Sequence, residues 1–86
     1  MPEISRFFGI VIRMFYREHA PPHFHAEYGD DEVLIDIDNL SVYRFALSPR
    51  AIALVREWAA LHRDELRLNW ERARSEDPPQ RIQPLA

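Results

Sequence analysis

Between residues 4 and 17 the chain alternates. Phe8, Ile10, Ile12, Met14 and Tyr16 fall on one face, and Phe7, Val11, Arg13, Phe15 and Arg17 on the other. A period of two is that of a β-strand, here a long one. Ala20, Pro21 and Pro22 interrupt it, because proline brings no N–H to a ladder. Alternation resumes over residues 23–28, with Phe24, Ala26 and Tyr28 against His23, His25 and Glu27. Gly29, Asp30 and Asp31 mark a turn. A third strand over 32–37 sets Val33, Ile35 and Ile37 against Leu34 and Asp36. Asp38 and Asn39 tolerate left-handed dihedrals and lead into a fourth strand, residues 40–46.

The period then becomes helical. Ser48 is a good N-cap and Pro49 a good first helical residue. Ala51, Leu54, Val55, Trp58, Ala59, Leu61, Leu66 and Ala73 recur at helical spacing, with Arg56, Arg63, Arg67 and Arg74 opposite,. One helix is predicted to about residue 74. The pattern therefore predicts an α+β domain over residues 1–75, an antiparallel four-stranded meander with one long C-terminal helix packed on one face. "SEDPPQRIQPLA" is expected as an extended or mobile, proline-containing tail over 76–86. Phe8, Ile10, Ile12, Met14, Phe24, Ala26, Tyr28, Val33, Ile35, Ile37, Leu40 and Val42 would meet the helix stripe.

Core residues must face core residues, and this fixes parity across each hairpin. Arg17 is expected opposite His23, Phe15 opposite His25, and Arg13 opposite Glu27. In the next hairpin His25 falls opposite Asp36 and Leu34 opposite Glu27, with His23 near Asp38. The face away from the helix thus gathers Arg13, Arg17, His23, His25, Glu27 and Asp36. It is also unusually apolar, carrying Phe7, Val11, Phe15, Leu34, Tyr43 and Phe45. Such a patch suggests an interface, with another protein or a second copy. The alternative is that the tail folds back over it with Ile82 and Leu85.

Composition narrows the chemistry. The chain of 86 residues has no cysteine, which excludes disulfides and thiolate metal sites,. No apolar run approaches the roughly 18 residues of a membrane span. The N-terminal stretch lacks the marks of a signal peptide, so a cytoplasmic protein is expected. All eleven basic residues are arginine, and the net charge is −3. Affinity for nucleic acid would then need a local arginine patch.

Three readings of the histidine corner stay open. His23, His25 and Asp36, with Arg17 and Arg13, could form a catalytic acid–base cluster, the minimum kit for RNA cleavage by 2′-hydroxyl attack. His19, His23, His25 and Asp36 could instead hold a divalent metal, the one cofactor considered. Or the histidines could only hydrogen-bond their neighbours and shape the turn. His62 lies in the apolar stripe beside Trp58, with Glu65 within reach. It reads as a buried histidine with a partner, or as one wall, with Trp58, Glu65 and Asn69, of a pocket at the helix edge.

"PEISRFFGIVIRMFYREHAPPHFHAEYGDDE" and "EWAALHRDELRLNWERAR" closely resemble a bacterial family known only as a domain of unknown function, DUF4160, over about residues 2–75. "HAPPHFHA", residues 19–26, is the most specific part, and residues 41–51 depart from the family pattern. The resemblance carries no assigned activity or catalytic residue. It implies a small stand-alone protein encoded beside another short gene, an arrangement like that of toxin–antitoxin pairs. The expectation is a toxin-like, RNA-directed member of a two-gene module, or else a non-catalytic binding module: an antitoxin, adaptor or homodimer. Its partner would be the cognate small protein or a second copy.

Overall fold

A computed structural model describes residues 2–45 and 47–86, leaving aside the side chains of Arg44 and Phe45. Five strands form one antiparallel meander in chain order: β1 (Glu3–Phe7), β2 (Ile10–Arg13), β3 (His23–Tyr28), β4 (Asp31–Asp36) and β5 (Val42–Phe45). Two helices follow, α1 (Pro49–Leu61) and α2 (Arg63–Arg74). The α+β class is as expected. The four strands and single helix are corrected to five and two.

The extra strand comes from a turn hidden in the alternation. Phe8 (φ 50°) and Gly9 (φ 79°) make a two-residue hairpin loop between the paired Phe7 and Ile10. Positive φ at both central residues matches the twist of the flanking strands. The first long strand is therefore two, and parity resets across the loop. Phe7 enters the core, while Phe8 is 59% exposed. A register shift between Glu3 and Ser5 adds to this, so neighbouring Ile4 and Ser5 are both buried. Tyr28, expected inside, is exposed at the far end of β3 beside Gly9.

Downstream the parity holds and the register moves. Arg13 pairs with His25, not Glu27, and His25 pairs with Leu34, not Asp36. Each shift is two residues, so every side chain keeps its face. The turn after β3 is tighter than expected, with Tyr28 paired to Asp31 across Gly29 and Asp30. Before β5 it is Leu40, not Asp38 or Asn39, that takes the left-handed conformation (φ 59°). The Asp36 Oδ1 accepts from the N–H groups of Asp38 (2.7 Å) and Asn39 (3.1 Å). The expected end of this strand, Ala46, and the Phe45 side chain lie outside the described residues.

Helix α1 starts as expected, with Ser48 Oγ accepting from the Ala51 N–H at 3.2 Å. Its Trp58 packs on Phe7 and Phe24, ring centres 5.5 and 5.8 Å apart. His62 (φ −124°, ψ 26°) separates the two helices. The buried positions Ala51, Val55, Trp58, Ala59, Leu66, Asn69, Trp70 and Ala73 continue in phase through the break, which is why the spacing reads as one helix. No helix among the described residues is long and apolar enough to cross a membrane.

Residues 76–86 have no regular secondary structure, yet they pack down. Ile82 is buried and its N–H donates to Ile4 O at 2.7 Å. The Trp58 indole N–H donates to Gln83 O (2.9 Å). Asn69 clasps Gln80 with both ends of its amide, at 2.8 Å each. The tail thus seals the core beside β1 and the helices, and it answers two buried polar groups that would otherwise be costly.

Two predictions follow from these contacts. A Cβ on Gly9 would stand 2.9 Å from the Tyr28 ring, at a φ that L-residues resist. Gly9→Ala is expected to lower stability by about 1–2 kcal/mol, measured by urea unfolding. The second concerns Glu3, which pairs with Arg6 and with Arg81 of the tail. Hydrogen bonds from these two guanidinium groups hold its carboxyl down at about 2. A depressed carboxyl stabilises the fold above its ordinary range and loses that contribution as pH falls toward 2. Protection of the Ile82 amide, relative to its intrinsic exchange rate at each pH, should fall over that interval, only modestly because the pair is exposed; protection that does not change would refute the link.

Candidate functional site

β3 is the middle strand, and His23, Phe24, His25 and Ala26 are all buried. Phe24 and Ala26 face the core under α1. His23 and His25 look to the other face, as parity requires. They are nevertheless only 7% and 8% exposed, because the connection 14–22 folds back across them and aromatic side chains of α2 and β5 flank His23. That connection is held by backbone bonds. Met14 N–H donates to Pro2 O (3.1 Å), Arg17 N–H to Ala73 O (3.4 Å), and Ile37 N–H to Pro22 O (3.0 Å). Ala20–Pro21 is a cis peptide.

Each imidazole is fixed from both sides. The His23 Nδ1 lies 2.9 Å from Pro21 O, and the His25 Nδ1 lies 3.0 Å from Glu32 Oε2. On the far side of the rings, Glu18 Oε1 is 2.7 Å from His25 Nε2 and 3.2 Å from His23 Nε2. The ring centres are 5.3 Å apart. Phe15 meets His25 edge-on at 4.4 Å, while Trp70 of α2 and Tyr43 of β5 flank His23 at 5.3 and 6.0 Å. The buried Tyr43 hydroxyl has no hydrogen-bond partner among the described residues. Burial, then the charges of Asp36 and Glu18, push its pKa above the ordinary tyrosine value.

The expected cluster is thus partly assembled. His23 and His25 are brought together. Arg13 lies beside His25 in register, but its Nε donates to Glu27 at 3.0 Å. Arg17 is not in the corner. It sits in a turn of the connection (φ 58°), mostly exposed, and pairs with Glu76. Asp36 is opposite His23, its carboxylate engaged by the β4–β5 turn. Asp38 pairs with Arg67, not with His23. His19 is exposed in the connection, and Glu18, His23 and His25 form the group whose ligand atoms lie within 4.8 Å of one another. His62 is not part of that group; it is bonded to Glu65 at 2.5 Å and lies tilted against Trp58, ring centres 5.6 Å apart, at the helix break. Asn69 belongs to the tail clasp.

Glu18 and Glu32 were missed. Glu18 lies in the connection, where no period applies; Glu32 shares the parity of Leu34 and Asp36 on β4, but the expected register, two residues off, drew attention to Asp36 instead. The available signal was chemical: two imidazoles on a middle strand need acceptors when they are covered. The apolar patch is likewise smaller than expected. Phe7 has left it, Val11, Phe15, Leu34 and Tyr43 are half-buried, and Phe45 lies outside the described side chains.

Residues 9–71 match the model of a family described as "Domain of unknown function (DUF4160)". No curated protein and no solved structure matches the chain. The matched span contains Glu18, His23, His25 and Glu32 together with β2–β5, α1 and most of α2.

The differing exposure of the histidines is testable with diethyl pyrocarbonate, which acylates accessible imidazoles. His19 is expected to react first, and His23 and His25 last and together, as followed by peptide mass spectrometry. Phe15→Ala should speed modification of His25 and leave His19 unchanged.

Proposed function

The chain belongs to the DUF4160 family, a membership that supplies no activity, and we propose from the chemistry of its corner that it is the acting, toxin-like member of a two-protein module directed at RNA in the cytoplasm. What supports this is one carboxylate, Glu18, shared by two imidazoles whose other nitrogens are already anchored. Groups held in this way are set to activate a hydroxyl or a water without first reorganising. Cleavage of an RNA chain by its own 2′-hydroxyl needs that activation and positive charge beside the phosphate.

The local charge sets a condition. Glu18, Glu32 and Asp36 surround the corner, and Arg13 is already engaged by Glu27. These carboxylates oppose a phosphate, and a cation beside it would offset them.

A second reading, a non-catalytic binding module, is favoured by a separate observation. An apolar groove of about 270 Å³ opens between the β1–β2 hairpin and α1, lined by Phe8, Ile10, Tyr28 and Leu54 with Ser48 and Arg50 at its wall. It is a place for the cognate protein to dock, and docking alone would suffice for an adaptor or antitoxin.

Inducing the chain alone in a bacterium separates the two. The proposal expects arrested growth and fragmented bulk RNA, relieved by Glu18→Gln or His25→Ala and by co-expression of the neighbouring protein. Normal growth with intact RNA would refute it and leave the binding reading.

A further inference from the structure

The two histidines pose a problem of hydrogen-bond bookkeeping. Pro21 O can only accept, so the His23 Nδ1 must carry the proton of that 2.9 Å contact,. A Glu32 carboxylate likewise accepts, so the His25 Nδ1 carries the proton of its 3.0 Å contact,. A neutral imidazole has one N–H. Both Nε2 atoms are then bare lone pairs, and both point at the same oxygen, Glu18 Oε1, at 2.7 and 3.2 Å. Three acceptors converge with no donor between them.

Only a positive charge resolves that convergence. Protons could do it, but each Nε2 would need its own. That sets two imidazolium rings, centres 5.3 Å apart, against a single carboxylate oxygen, Glu18 Oε1. One proton would answer one contact and leave the other unmet. A single divalent ion answers all three.

We propose that Glu18, His23 and His25 form a divalent transition-metal site, with the ion held by a Glu18 carboxylate oxygen and the two Nε2 atoms. The arrangement around the rings agrees with it independently. Metal-bound histidines donate their other N–H to a carboxylate or a backbone carbonyl, which fixes the tautomer and ring orientation. Here Glu32 plays the first part and Pro21 the second. A set of two imidazoles and one carboxylate, without thiolate, suits zinc, iron(II) or nickel(II), and leaves coordination positions open for water or substrate.

Ligand atoms on a tetrahedral zinc stand about 3.3 Å apart, given bonds of about 2.0–2.1 Å. The His23–Glu18 separation is already close to this, and the Glu18 carboxylate must back off slightly from His25. Its place in the connection, outside any strand, makes that a side-chain adjustment. The ligand set replaces the one expected from sequence: Glu18 stands where His19 and Asp36 were foreseen.

The site rests on the same corner as the proposed function but not on RNA being the substrate, and it is tested without an activity. Metal-stripped full-length chain is titrated with Zn²⁺ by calorimetry, and with Co²⁺ by visible absorption. Nitrogen NMR of the ring resonances is followed in parallel. The expected result is one equivalent bound and a shift confined to the Nε2 atoms of His23 and His25. Glu18→Gln should weaken binding at least about tenfold and Glu32→Gln by a smaller factor. His19→Ala should leave binding unchanged, and circular dichroism checks that each variant is folded. Absence of Zn²⁺ binding by the folded chain would overturn the proposal. So would binding that Glu18→Gln leaves intact, or both rings already doubly protonated at neutral pH and unmoved by Zn²⁺. A chain that binds Zn²⁺ yet leaves RNA intact keeps the metal site and loses only the RNA reading.

Discussion

A middle strand buried on both faces must satisfy two kinds of chemistry at once, and β3 does so by alternation. Phe24 and Ala26 enter the apolar core beneath α1. His23 and His25 are buried on the reverse face by the connection 14–22 together with Trp70 and Tyr43. Apolar groups need only exclusion from water, whereas covered imidazoles need partners for their nitrogens. Pro21 and Glu32 are drawn in by that demand, as acceptors for the two Nδ1 atoms. The path of the connection and the packing of Phe15 follow from it.

Parity was the most legible feature of the sequence because it is enforced by burial: a slip of one residue would exchange Phe24 with His25. A slip of two costs far less. The register was therefore misjudged by that amount in both hairpins around β3, where loop length, not hydrophobicity, decides the pairing. Gly9 was the overlooked punctuation. With apolar residues on both sides of it, the Phe8–Gly9 loop does not interrupt the alternation, so one strand was read where a hairpin exists. The break at His62 escaped for a related reason, since the buried positions on either side remain in phase and neither proline nor glycine marks it.

The site was legible in its histidines and not in its carboxylates. Asp36 was favoured because it sits on a strand with the right parity, but its carboxylate is engaged by the turn that follows. Arg17 was placed by extending a strand that in fact ends at Arg13. Glu18 comes from irregular chain, where no period applies. The tail offers the same lesson. An asparagine in an apolar helical stripe and a buried indole N–H both called for acceptors, and Gln80 and Gln83 supply them.

The groups that converge on the histidines are close neighbours along the chain: Glu18, Pro21 and Glu32 flank residues 23 and 25, whereas the Glu3–Arg81 pair joins opposite ends of it. Tying such near positions together removes little freedom from the unfolded chain. The core from Ile4 to Ile82 is complete without it. An ion seated there would be a poor staple. Its hold on the architecture would be slight, and its exchange with solution would leave the scaffold standing, as suits a centre that handles a ligand and not one that fastens a fold.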